Sequence, residues 1–297
     1  MPPQAPTRAF LISHLLASSV FWSTGFLFIK LSGSLDPFVL AAMRGLIGAA
    51  ALALWFMAAG RDPRPRDGEW RHWLVLGTFN GWGPNVLVAY ALTQIGTAPA
   101  SMIQAASPLV VAALAHLLFA EERLTPRRLT GVLVGFTGMA VLIGPAALPG
   151  RDAGALGALA MAAVALSYAV GNLYARAIRE AEPARLALGQ QVCSAVPASA
   201  LALTLAGPAA FAPVTDALVP LLGLGVLATA LPILFFMRLI RGAGPTRAAM
   251  VGYLMPVWTT ILAILFLGET VGAREILGGA IVLAGVAIVS FTGRVGR

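Results

Sequence analysis

Apolar residues run along this chain in long stretches, each closed by a short polar or basic break. Ten such runs can be marked: 10–31, 37–59, 72–92, 97–119, 126–145, 153–176, 183–205, 216–240, 245–267 and 274–293. Each is close to the ~20 residues that cross a hydrocarbon core. Lipid offers the backbone no hydrogen-bond partners, so the pattern predicts helices. The period-two alternation of a membrane barrel is absent. Pro220 and Pro232 interrupt the eighth run and make it the weakest. The first run follows Arg8, but its apolar core is too long for a signal peptide and no small-x-small site follows, so it is read as a span.

The pattern also repeats. Shifted by 146 positions, Gly25 meets Gly171, Lys30 meets Arg176, and Asp36-Pro37 meets Glu182-Pro183. With a small slip Pro108 meets Pro256, Phe119 meets Phe266, Glu122 meets Glu269, Gly131 meets Gly278 and Gly138 meets Gly285. The expected organisation is therefore two five-helix halves, 1–147 and 148–297. Five is odd, so the second half enters the membrane from the opposite side. Inverted repeats of this kind belong to alternating-access transporters, whose site lies near the midplane between the halves. The other reading is a duplication kept only for packing.

Charge sets the orientation. Of the twenty Lys and Arg, sixteen fall in segments that are cytoplasmic if the N-terminus is, against Lys30, Arg151 and Arg274 outside and Arg44 within a span. That bias predicts cytoplasmic termini. Composition agrees with a membrane protein: 59% apolar, 11% charged and a mean hydropathy of +0.85, where soluble domains carry about 25% charge. The net charge of +8 would suit nucleic acid only if clustered on one face, and here basic residues sit singly or in short groups between apolar runs. The one cysteine, Cys193, excludes an intramolecular disulfide.

Two segments carry a family resemblance: SPLVVAALAHLLFAEERLTPRRLTGVLVGFTGMAVLIG in the first half and MPVWTTILAILFLGETVGAREILGGAIVLAGVAIVS in the second. Each is a proline, an apolar run, an acidic residue and a glycine-spaced final helix. Over nearly its whole length the chain resembles the EamA-type branch of the drug/metabolite transporter superfamily, most closely the bacterial aromatic amino-acid exporters. The resemblance implies an all-α membrane protein of ten helices around a central cavity. It also implies export of metabolites, commonly amino acids, across a bacterial inner membrane by a monomeric carrier.

The chemistry available in the spans is mostly neutral. All twelve acidic residues fall in loops or at span ends. Proton-coupled carriers hold a titrating group mid-membrane despite a cost of ~2.5–3.5 kcal/mol. The small four-helix multidrug members of the superfamily carry a glutamate in the first helix, whereas the first span here offers Trp22, Ser23 and Thr24. His14, His72 and His116 fall near cytoplasmic span ends, where interfacial packing is expected. Arg44 is the one charge inside a span: either a functional group, or a side chain snorkelling outward to pair with Asp36.

Prolines mark the candidate site. Pro84 leaves the carbonyl of Asn80 without a helical donor, and Pro108, Pro232 and Pro256 do the same for Gln104, Ala228 and Gly252. Freed backbone at membrane depth is tolerated where protein or a watery cavity satisfies it, so these four prolines are either hinges on a cavity wall or kinks healed by neighbouring helices. Asn80, Asn85, Ser101, Gln104 and Ser107 supply neutral donors and acceptors. Trp22, Trp82, Tyr168, Tyr253 and Trp258 supply aromatic walls, or else helix packing. Trp55, Trp70 and Trp73 suit an interfacial belt. The recurring acidic residue of Glu122 and Glu269 is expected to end one helix where the next begins.

The expected substrate is a large neutral or aromatic amino acid, with hydrophobic cations as the alternative cargo. No cofactor or metal site is expected, and no HExxH or carboxylate pair suits a membrane enzyme. A ten-helix sensor or assembly factor is a third class. The partners expected are the small-molecule substrate and the bilayer, not nucleic acid.

Overall fold

The computed structural model describes residues 7–66, 68–118, 125–143, 153–178, 182–243 and 251–291. Glu122 lies outside them, as do the side chains of Pro108, His116 and Tyr253. All regular structure among the described residues is helical.

Helix α1 spans Arg8–Leu31 and α2 spans Pro37–Ala58. The Thr7 hydroxyl accepts the Phe10 amide and caps α1. Asp36 caps α2, accepting the Phe38 amide at 2.8 Å, with Pro37 in the first turn where its missing N–H costs nothing. The third run divides into α3 (Glu69–Gly77), a π-helical stretch Thr78–Trp82 and α4 (Gly83–Gln94). The fourth divides into α5 (Thr97–Gln104) and α6 (Ser107–Leu118), with Ala105 and Ala106 in a turn between them.

Then follow α7 (Pro126–Ile143), α8 (Ala153–Ala177) and α9 (Pro183–Leu201), the last running on as a π-turn, Ala202–Ala206. A 3₁₀ stretch, Pro208–Val214, leads to α10 (Leu218–Leu222), a second long π-helical stretch Gly223–Ala230, and α11 (Leu231–Ala243). Helices α12 (Val251–Leu267) and α13 (Ala273–Phe291) close the described chain.

Among the described residues, five segments are long and apolar enough to cross a membrane: Arg8–Leu31, Pro37–Ala58, Gly154–Ala175, Pro183–Ala206 and Leu218–Phe236. Leu129–Leu142 and Leu254–Leu267 are shorter apolar helices. Large apolar side chains are exposed along these helices, Leu265 at 71% and Leu54 at 62% among them. Water would penalise that surface and lipid does not. The protein is a multi-pass membrane protein.

With lipid tails as apolar as the helices, close approach of small residues does much of the packing. Helices α7 and α13 show it best. A Cβ on Gly138 would fall 2.9 Å from the Gly278 carbonyl oxygen, and one on Gly285 would fall 2.6 Å from the Gly131 carbonyl oxygen. The two contacts exchange roles between residues 147 apart in the chain. Trp73 is buried with its ring against Gly189, where no side chain would fit. It therefore packs α3 on α9 instead of joining the interfacial belt with Trp55 and the exposed Trp70.

One cluster of ion pairs closes an end of the bundle. Arg185 is buried between Glu69, at 3.4 Å, and Glu182, at 3.2 Å, and also donates to the Arg64 carbonyl. Arg61 pairs with Glu182 and lies over the rings of Trp55 and Phe56. Two of the expected interfacial histidines are accounted for nearby in sequence or space: His72 Nδ1 meets the Tyr174 hydroxyl at 2.8 Å and His14 Nδ1 meets the Phe10 carbonyl at 2.9 Å.

Candidate substrate site

The third apolar run breaks where the sequence places Gly81, Gly83 and Pro84. Gly81 has φ −118° and ψ −113°, outside any helix, and Pro84 is buried in the first turn of α4. Two carbonyls lose their helical donors there. Ser167 of α8 donates its hydroxyl to the Phe79 carbonyl at 2.7 Å, and Gln190 of α9 donates its amide to the Asn80 carbonyl at 3.1 Å. The break is thus held open by polar side chains from two other helices rather than closed within its own.

Asn80 faces α8. Its Nδ2 donates to Asn172 Oδ1 at 3.4 Å, and its buried Oδ1 has no donor. The side chain lies against Gly171, at a place where any Cβ would collide with it. At ~100° per residue, Tyr168 and Asn172 lie on the side of α8 opposite Leu159 and Leu166, which face outward. Asn172 is nonetheless exposed and Tyr168 half-exposed. Open surface on the inward side of a helix is the wall of a crevice.

The eighth span repeats the arrangement. Its π-helical stretch ends just before the buried Pro232, as the first ends just before Pro84. Thr229 donates to the Leu224 carbonyl at 2.8 Å and receives Arg44 Nε at 3.0 Å. Arg44 therefore does not pair with Asp36, whose carboxylate is committed to capping α2. The buried hydroxyl was in reach because Gly48, one turn on in α2, lets α2 close on Thr229.

The remaining candidates divide by what their polar atoms do. The buried Ser101 donates to the Ala98 carbonyl in its own helix at 2.8 Å, and Ser107 donates to the Gln104 carbonyl at 2.7 Å, satisfying the oxygen that Pro108 frees. Asn85 is buried and Gln104 half-buried. Trp22 meets Phe236 edge-on at 4.9 Å in a cluster with Leu15 and Leu239, and Trp82 packs with Val86 on Ala41, Ala42 and Ala198. Trp258 is half-buried. Pro256 lies inside the continuous α12, whereas Pro108 is the second residue of α6, so the two prolines differ in setting. Sequence reasoning missed Ser167, Gln190 and Thr229, polar residues within apolar runs whose only signal is that each must find a partner.

The site brings together Asn80, Tyr168, Asn172, Gln190, Thr229 and Arg44, with no Asp or Glu of the described residues hydrogen-bonded or ion-paired to any of them. No group of three or more His, Cys, Asp or Glu among the described residues could hold a metal ion. Such a set could bind a ligand by dipoles and one cation.

Comparisons with known proteins place this architecture. The model of the EamA-like transporter family matches residues 9–144 and again 155–291. A protein of Archaeoglobus fulgidus named an uncharacterized transporter is 28% identical over 284 residues, 92% of this chain and 96% of its own. A probable amino-acid metabolite efflux pump of Salmonella typhimurium is 28% identical over 292 residues, 94% of each chain. A WAT1-related chloroplastic protein of Arabidopsis thaliana is 25% identical over 93% of this chain and 68% of its own. One crystal structure aligns over 97% of this chain and 99% of its own with a TM-score of 0.68 at 22% identity, a likeness of fold alone.

Proposed function

The chain belongs to the EamA-like transporter family, and from that premise we propose that it exports amino acids, large neutral and aromatic ones first, across a bacterial inner membrane. It works by alternating access between two inverted five-helix halves, 1–147 and 148–297, with both termini in the cytoplasm.

The observation that carries the reading is the pair of broken spans. Residues 80–84 and 228–232 each combine a π-helical stretch with a proline, and each is held by a polar side chain from the opposite half, Gln190 or Arg44. Gln190 and Arg44 stand 146 residues apart, and Pro84 and Pro232 stand 148 apart. Gly171 against Asn80 and Gly25 against Ala228 form another exchanged pair. A two-fold relation between inverted halves produces such exchanges, and unwound backbone near the midplane is where carriers bind cargo. The similarity to a named amino-acid metabolite efflux pump supports the cargo class.

Neutral amides and hydroxyls beside one cation suit a zwitterion's two charges, while aromatic and aliphatic walls reward apolar surface at ~25 cal/mol per Å². Phosphorylated or dianionic cargo would need several cations, and the site has one. Counterflow in proteoliposomes tests the proposal: labelled phenylalanine and leucine should exchange faster than glutamate, aspartate or sugar phosphates. A preference for acidic or phosphorylated compounds would overturn it.

A further inference from the structure

Arg44 is a cation with no counter-ion among the described residues. It lies eight residues into α2, its Nε donates to Thr229, and no hydrogen bond joins Nη1 or Nη2 to another of the described residues. No carboxylate of the described residues lies within ion-pair distance of it. Tyr168 of α8 is the titratable group within electrostatic reach of it. Both side chains are surrounded by protein, yet each keeps part of its surface open.

A guanidinium held this deep in a membrane protein is costly unless an anion compensates it. Snorkelling does not resolve the cost, because Nε is tied inward to a threonine that itself donates to the Leu224 carbonyl. What remains free is the pair of terminal nitrogens, the planar fork that matches a carboxylate. The open surface shows a way in, and the crevice face of α8 shows what stands opposite. One turn beyond Tyr168, ~5.4 Å along the axis, Asn172 meets Asn80, whose Oδ1 is a buried acceptor without a donor. An acceptor without a donor fits an ammonium group as well as a free fork fits a carboxylate.

We propose that Arg44 binds the substrate's carboxylate through its free terminal nitrogens, with the Tyr168 hydroxyl beside it and the Asn80–Asn172 pair taking the ammonium end. The inference rests on the amino-acid reading and sharpens it. One fixed cation selects a single carboxylate and repels cationic cargo, so the crevice distinguishes an amino acid from the amine of the same side chain.

The test compares phenylalanine with phenethylamine, which lacks the carboxylate, in counterflow with purified protein. Arg44→Gln should lower phenylalanine exchange at least tenfold and raise phenethylamine exchange. Arg44→Lys, which keeps the charge and loses the fork, should raise the KM for phenylalanine with less effect on the maximal rate. A folded Arg44→Gln protein that exchanges phenylalanine within twofold of the wild type overturns the proposal. So does one that loses both compounds equally, which marks a structural role. If Arg44→Gln does not fold, Tyr168→Phe carries the test, since it should raise the KM for phenylalanine and leave that for phenethylamine unmoved; equal effects overturn the proposal. Thermal stabilisation by 3-phenylpropionate separates the two levels of inference. Wild-type protein that exchanges no amino acid but is stabilised by the carboxylate, with Arg44→Lys less so, loses the amino-acid reading and keeps the anchor. Wild-type protein that 3-phenylpropionate does not stabilise loses the anchor.

Discussion

Gln190 on α9 donates its side-chain amide to the main-chain carbonyl of Asn80 at 3.1 Å, the oxygen that Pro84 deprives of its helical donor. A defect in one helix is completed by a side chain of another, so the two elements share one hydrogen bond that neither can make alone. Because α9 and the third span belong to different halves of the chain, the bond also ties those halves together.

Replacing Gln190 with leucine should therefore destabilise the protein beyond the loss of one contact. A buried carbonyl left without a donor costs about 1–3 kcal/mol. Thermal unfolding in detergent should begin at lower temperature than in the wild type, and exchange should slow. An unchanged midpoint would show that water or another side chain serves the carbonyl equally well.

Glu269 offers a second test. Gly268 adopts φ +62°, which ends α12 and turns the chain back, and the Glu269 carboxylate then accepts the Thr97 amide at 2.9 and 3.0 Å and the Thr97 hydroxyl at 3.1 Å. It caps α5, a helix of the other half, rather than the helix that follows it. Removing such a cap costs about 0.5–2 kcal/mol, and the negative charge at a helix N-terminus adds to it. Glu269→Ala should loosen the two loops from each other, read as faster labelling of a cysteine at Ala98 in a Cys193→Ala background. Labelling at the wild-type rate would argue against the cap as a tie between the loops.

The glycines make opposite predictions at two sites. At Gly138 a Cβ would stand 2.6 Å from the Val282 amide nitrogen, so alanine there must push α7 and α13 apart. Overpacking of this kind costs roughly 1–3 kcal/mol. At Gly252, within α12, nothing lies within 4 Å of the added atom. Alanine should be tolerated there and should favour the helix by up to about 1 kcal/mol. Comparable thermal stability of Gly138→Ala and Gly252→Ala would contradict the packing described.

The two prolines should also differ. Pro108 sits in the first turn of α6, where proline costs little and alanine gains little. Pro256 lies six residues into α12, where proline forfeits an internal hydrogen bond at ~3 kcal/mol. Pro256→Ala should straighten and stabilise α12 and slow exchange per folded molecule, while Pro108→Ala changes exchange little. Equal slowing in both would assign the two prolines one role.

Much of this was legible in the chain itself. Runs of about twenty apolar residues specify helices because lipid leaves the backbone only its own hydrogen bonds, and those bonds are local. Proline and glycine act locally too, so the break at Gly81–Pro84 and the interruption at Pro232 could be read without knowing any neighbour. The repeat of Pro108, Glu122 and Gly131 in Pro256, Glu269 and Gly278 is a property of the sequence alone.

What the tertiary structure alone decided is the choice of partner. Between helices in lipid, hydrophobicity gives no direction, and association depends on close packing and on which polar groups meet. Nothing local to Arg44 says that it will reach Thr229 and leave Asp36 to cap α2. Nothing local to Glu269 says that it will serve Thr97, 172 residues away. Trp82 and Trp22 were as plausible on a cavity wall as in the helix contacts they make. Those outcomes follow from where glycines such as Gly48 and Gly171 let one helix approach another. That approach is a relation between surfaces far apart in the chain, and no single stretch of residues encodes it.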